Sequence, residues 1–114
     1  MQLFTFLRVM GLAAFAALAT HPPAAAQDAW PSRHVTLVVP FGAGSTTDAL
    51  ARYLSEFYKD AVGQPFIVEN RGGAGGTLGA HAVVKAAPDG YTLLMGGNTT
   101  HSAAPAFFKS LAYD

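Results

Sequence analysis

Three short runs hold most of what could bind a ligand: Phe41-Gly42-Ala43-Gly44-Ser45-Thr46 with Asp48, then Gly72-Gly73-Ala74-Gly75-Gly76, then Gly96-Gly97-Asn98-Thr99-Thr100-His101. Their chemistry is that of backbone N–H groups and hydroxyls. Glycine lets the main chain approach a ligand closely, and Ser and Thr both donate and accept. None of the three runs contains a lysine. An anion captured there is held by hydrogen bonds and helix dipoles rather than by an ammonium group. Asp48 can cap a helix start, and can also orient the first run by accepting its N–H groups. Arg71, beside the second run, is either a surface residue or a partner for a carboxylate.

Familiar reactive motifs are absent. No glycine precedes a lysine, so a nucleotide-binding P-loop is excluded. A dinucleotide fingerprint fails in both candidate loops, where Thr47 and Leu78 stand in place of the third glycine. Gly-x-Ser-x-Gly does not occur, and zero cysteines remove thiolate nucleophiles, thiolate zinc sites and disulfides. His34, His81 and His101 lack metal-ligand spacing, and no cofactor motif is found.

The elements that must position these runs alternate strand and helix. Val35-Thr36-Leu37-Val38-Val39 reads as a strand buried on both faces. A helix follows from about Thr47 to Val62, capped by Thr46 or Thr47, with Leu50, Leu54, Phe57 and Ala61 on one expected inward face. Gly63 ends it and Pro65 prevents resumption. Phe66-Ile67-Val68-Glu69 is a second strand. A second helix is expected from about Thr77 to Ala87, with Leu78, Ala82 and Val83 inward. The turn Pro88-Asp89-Gly90 leads to a third strand, Tyr91-Thr92-Leu93-Leu94-Met95, and Ala103 to Leu111 begins a third helix. The order β-α-β-α-β predicts an α/β fold, a parallel sheet with flanking helices. In such a sheet the loops 40–48, 70–77 and 96–101 share the carboxyl edge, where ligands bind.

The chain has 114 residues, 51% hydrophobic and 12% charged, with seven basic and seven acidic side chains. So balanced a charge leaves no footprint for nucleic acid. Part of the apolar excess is terminal. Met1 to Ala26 reads as a secretory signal peptide: Arg8, an apolar run from Val9 to Ala19, Pro22-Pro23, then Ala24-Ala25-Ala26. The apolar run is too short to cross a membrane. Cleavage after Ala26 is expected, leaving a slightly negative mature chain from Gln27 and a bacterial envelope location.

Leu37-Val38-Val39-Pro40-Phe41 through Asp48, Val68-Glu69-Asn70-Arg71 through Gly79, and Ala87-Pro88-Asp89-Gly90-Tyr91-Thr92-Leu93-Leu94 resemble one family in a single register. It is the substrate-binding proteins of tripartite tricarboxylate transporters, the Bug family. Trp30-Pro31 and Leu111-Ala112-Tyr113-Asp114 are similar to that family as well. The resemblance implies a periplasmic solute-binding protein without catalytic activity. Two α/β lobes close on a small organic acid, which passes to a membrane permease. It implies that Phe41, Gly42, Ala43, Gly44, Ser45, Thr46 and Asp48 grip one end of the ligand. Ala74, Gly75, Thr99, Thr100 and His101 complete this lobe's half of the cleft. Departures are Gly44-Ser45, where the family has paired glycines, and Gly72, where it has proline. Ser45 thereby sets a hydroxyl and a Cβ beside the expected carboxylate. Members are much longer, so residues 27–114 are expected to form only the N-terminal part of the first lobe. Two rival expectations remain: an α/β enzyme whose catalytic residues lie beyond Asp114, or a fragment that does not function.

Overall fold

The computed structural model describes residues 29–113, so the expected signal peptide lies outside the described residues. β1 (Val35–Val39) leads through loop 40–45 into α1 (Thr46–Val62), and β2 (Phe66–Asn70) follows. A one-turn 3-10 segment (Ala74–Gly76) then feeds α2 (Thr77–Val84) and β3 (Thr92–Leu94). A wide π-type turn (Thr99–Ala103) runs into the short α3 (Ala104–Phe107). The three strands form one parallel sheet in the order β2-β1-β3. Val39 is level with Asn70, and Val38 with Leu94. The fold is the expected α/β type.

β1 is central and nearly solvent-free, with Val35 and Val39 fully buried. β-branched residues suit a strand packed on both faces. Leu37 and Val39 pack with Ala51 of α1, together with Phe41, Val68, Leu93 and Met95. Thr36 and Val38 look the other way, toward Ala82 of α2 and the Lys85-Ala86 turn after it. The two helices therefore cover opposite faces. The chain leaves β1 toward one side for β2, then crosses to the other side for β3. That reversal is the switch point at which α/β sheets open a crevice.

Periodicity misplaced the inner face of α1. Leu50 and Phe57 are 48% and 61% exposed, while Asp48, Ala51 and Ser55 are the buried residues of this helix. Apolar residues flank both sides of the stripe, so spacing alone cannot choose between them. Packing chooses the small ones, because Ala51 and Ser55 let the helix lie close to the sheet. Ser55 satisfies its buried hydroxyl on the Ala51 carbonyl at 2.8 Å. The Gly63 N–H ends the helix on the Lys59 carbonyl at 2.9 Å, as expected.

Four other boundaries differ, and β2 runs on one residue past Glu69 to Asn70. β3 is three residues rather than five, and α2 stops at Val84. Gly79 and Ala80 are the buried residues of α2, whereas Leu78 is 57% exposed. The third helix shrinks to one turn because Thr99–Ala103 forms a wider coil before it.

Candidate functional site

Parallel strands bring the three glycine-containing loops to one edge. Gly72 abuts the first loop: a Cβ there would lie 3.4 Å from the Gly42 nitrogen. A Cβ at Gly76 would fall 2.9 Å from Thr100 Cγ2 and 3.3 Å from Pro40 Cβ. A Cβ at Gly79 would lie 2.7 Å from the Arg71 carbonyl oxygen and 2.9 Å from Pro40 Cα. Real Cβ atoms do not approach backbone that closely, so α2 reaches the end of β1 only because glycine stands at its contact point.

Loop 40–48 is organised by Asp48. This residue is 4% exposed, and its carboxylate accepts three hydrogen bonds and one further ion-pair contact. Oδ2 takes the Gly44 N–H at 2.9 Å and Arg52 Nε at 3.1 Å. Oδ1 accepts from Asn70 Nδ2 at 2.9 Å and forms an ion pair with Arg52 Nη2 at 3.0 Å. Arg52, then the Gly44 N–H and Asn70, pull the Asp48 pKa from 3.8 down to about 2 against the opposing effect of desolvation. Asp48 is thus ionised and acceptor-only. Asn70 also donates to the Phe41 carbonyl at 3.1 Å, so one amide joins the end of β2 to the start of the loop.

The cap of α1 is Ser45, not Thr46 or Thr47. Ser45 Oγ accepts the Asp48 N–H at 3.2 Å, and the Ser45 N–H reaches the Gly42 carbonyl at 3.3 Å. Ser45-Thr46-Thr47-Asp48 spells a capping-box pattern, a signal present in the sequence. The aspartate reaches back one residue further than usual, to Gly44, which draws Ser45 rather than a threonine into the cap. The hydroxyl that distinguishes Ser45 is therefore engaged within the protein. The N–H groups of Thr46 and Thr47 have no hydrogen bond among the described residues. They lie at the positive end of a 17-residue helix.

The second loop is arranged without side-chain anchors at its tip. Ala74 has φ 47°, and its carbonyl accepts Thr77 Oγ1 at 2.9 Å. Ala74 and Gly75 are exposed, and their N–H groups also make no hydrogen bond among the described residues. Arg71 is taken up by Glu69, at 2.7 and 2.9 Å.

In the third loop Thr99 and His101 are exposed and Thr100 is fully buried. The Thr100 hydroxyl lies 3.0 Å from both the nitrogen and the carbonyl oxygen of Gly97 and 2.7 Å from His101 Nδ1. Its carbonyl accepts the Tyr113 hydroxyl at 2.8 Å. Thr100 thus closes the loop on itself and backs Gly76. Thr100 and His101 also border a hollow of ≈ 380 Å³ completed by Pro105, Phe108, Leu111 and Tyr113.

The three loops meet, and each presents N–H groups without a hydrogen bond among the described residues, Thr46 and Thr47 in the first, Ala74 and Gly75 in the second and Asn98 and Thr99 in the third. Sequence reasoning missed Arg52 and Asn70. Arg52 was findable, since it stands four residues after Asp48 on a helix. Asn70 was not, because its role depends on the parallel register that sets it beside Val39.

A family model described as the tripartite tricarboxylate transporter family receptor matches residues 50–114. The chain belongs to this family. It is a family of receptors, not of enzymes. Structural relatives of this receptor family agree in fold. MatC from Rhodopseudomonas palustris, solved with bound malate, is 51% identical with a TM-score of 0.70, over 74% of this chain and 29% of that one. An R. palustris protein solved with adipate is 41% identical with a TM-score of 0.72, over 75% and 28%. The periplasmic binding protein BugD is 51% identical with a TM-score of 0.56, over 57% and 22%. Curated relatives 50% and 40% identical are matched over 29% and 30% of their own length, so the chain spans under a third of them.

Proposed function

We propose that these residues form one side of a binding site for a small organic carboxylate in an exported periplasmic receptor, which delivers its ligand to a membrane permease. The observation that carries this reading is the pair of open N–H groups of Thr46 and Thr47, at the N-terminus of α1 and on a rim without lysine. Such a turn attracts an anion and offers it parallel donors. Malate and adipate in relatives of the same fold support a carboxylate as the anion.

Phe41, Gly42, Ala43, Gly44, Ser45 and Thr46 shape the first wall, with Asp48 beneath it. Ala74 and Gly75 add two more open N–H groups, and Thr99 and His101 form the third wall, with Thr100 buried behind it. A second lobe, as in longer members, would close over the ligand and exclude water. Residues 27–114 belong to the first lobe. Met1–Ala26 directs export, and the names of periplasmic relatives support that location.

Thr46→Pro tests the site directly. Thr46 is the first residue of α1, where proline is tolerated, and Ser45 before it is extended at φ −70°, ψ 160°. The substitution removes one donor and leaves the helix intact. Calorimetric titration of the full chain with malate, adipate and citrate should give binding that Thr46→Pro weakens about tenfold or more, as for a hydrogen bond to a charged group. Unchanged binding in the variant would place the carboxylate elsewhere. No binding of any acid to the unaltered chain would overturn the functional reading.

A further inference from the structure

The anion site has an electrostatic problem built into it. Asp48, on the same first turn as Thr46 and Thr47, carries a buried negative charge. An aspartate in that place takes up the positive end of the helix and repels a second carboxylate nearby. Its acceptor capacity is also largely used inside the protein, because Oδ2 receives two donors and Oδ1 receives Asn70 Nδ2 beside the Arg52 ion pair. Asp48 can therefore serve the site only through what it holds.

We infer that Arg52 and Asn70 are positioning residues of this carboxylate site: Arg52 neutralises Asp48 so that the turn attracts an anion, and Asn70 fixes the loop that surrounds it. The inference rests on the carboxylate reading above. Arg52 meets both oxygens of Asp48, Nε donating to Oδ2 at 3.1 Å and Nη2 ion-paired with Oδ1 at 3.0 Å. The Arg52 side chain is 56% exposed and that of Asp48 5%, so the outward side of the pair is the cationic one. A permanent positive charge thus stands on the same helix as the Thr46 and Thr47 N–H groups, paired to the aspartate of their own turn. Asn70 works by geometry. Its Nδ2 spans Asp48 Oδ1 and the Phe41 carbonyl, and its Oδ1 accepts Arg52 Nη2 at 3.2 Å. One amide thereby joins β2, the start of the first loop and the ion pair. The glycine-rich second loop begins one residue later.

The two roles predict different signatures. In malate titrations of the full chain at several sodium chloride concentrations, Arg52→Gln should weaken binding about tenfold at low salt, and the loss should shrink as salt rises, because it removes a charge effect. Arg52→Lys should recover most of the affinity. Asn70→Ala should weaken malate while leaving the salt dependence as in the unaltered chain, and should speed hydrogen exchange of the Gly44 N–H in the ligand-free protein. A variant that loses cooperative melting is set aside in favour of Arg52→Lys and of Gly44 exchange in the unaltered chain, where protection is expected. Malate binding unaffected by Arg52→Gln, or lost equally at all salt concentrations, overturns the charge role. Unchanged Gly44 exchange and malate affinity in Asn70→Ala, or an unprotected Gly44 in the unaltered chain, overturns the geometric role. Failure of malate, adipate and citrate to bind the unaltered chain instead overturns the carboxylate reading on which both roles stand.

Discussion

Loop 40–48 and loop 71–79 both carry the chain from the end of a strand into a helix N-terminus, at the same edge of the same sheet, yet different forces hold them. The first is wired by side chains. Asp48 gathers the Gly44 N–H, Arg52 and Asn70, and Ser45 returns the favour to the Asp48 N–H. The second is fitted by the absence of side chains, with Gly76 against Thr100 and Pro40, and Gly79 against Pro40 and the Arg71 carbonyl. A wired loop is sensitive to charge and tolerant of bulk. A fitted loop is sensitive to bulk and indifferent to charge. Both leave N–H groups without a hydrogen bond among the described residues, so two walls of opposite vulnerability stand side by side at that edge.

The largest expected effect breaks the fitted wall. Gly79→Ala puts a Cβ into two backbone segments that cannot rotate away, and should destabilise the protein by about 3 kcal/mol, the upper range of overpacking costs. Urea unfolding of the variant measures it, and a loss under about 0.5 kcal/mol, the range of an ordinary surface change, would mean that α2 does not sit against Pro40.

Acid should break the wired wall alone. The folded pKa of Asp48 is depressed, so its contribution is fully present above its ordinary value of 3.8 and is lost as pH falls through about 2. Over that interval the Gly44 N–H should lose its protection before the amides of α2 do. Asp48→Asn should flatten the acid dependence of the urea midpoint in the same window. If the slope is unchanged, the aspartate is not paired as described.

The smallest effect sharpens the contrast. A Cβ at Gly42 meets nothing within 4 Å. Gly42→Ala should therefore change stability by less than about 0.5 kcal/mol, as at a compatible loop position. Comparing its urea midpoint with that of Gly79→Ala separates glycines that are needed for space from those that are not.

Much of this arrangement was legible in advance, for local reasons. The five-residue strand Val35–Val39, the Gly63 stop and the alternation of elements follow from β-branching, backbone freedom and hydrophobic spacing. The sharing of one edge by three loops follows from parallel topology, itself implied by element order. The inner face of α1 was not legible, because Leu50, Phe57 and Ala51 lie on overlapping helical stripes and only contact with the sheet selects one. Neither was the seclusion of Thr100, which reads like an exposed binding threonine until the chain folds back to Gly97 and Tyr113.

The sequence by itself determined the fold class, the family resemblance and the three runs whose backbone faces the crevice. Those properties depend on residue type and short spacing, which the chain carries with it before folding. Only the tertiary structure decided which polar groups remain available. Availability depends on partners distant in sequence, as Asn70 is from Phe41 and Tyr113 from Thr100. A buried donor or acceptor is satisfied by whichever partner the fold brings near. Which donors remain open, among them the N–H groups of Thr46, Thr47, Ala74 and Gly75, is fixed only once those internal bonds have formed.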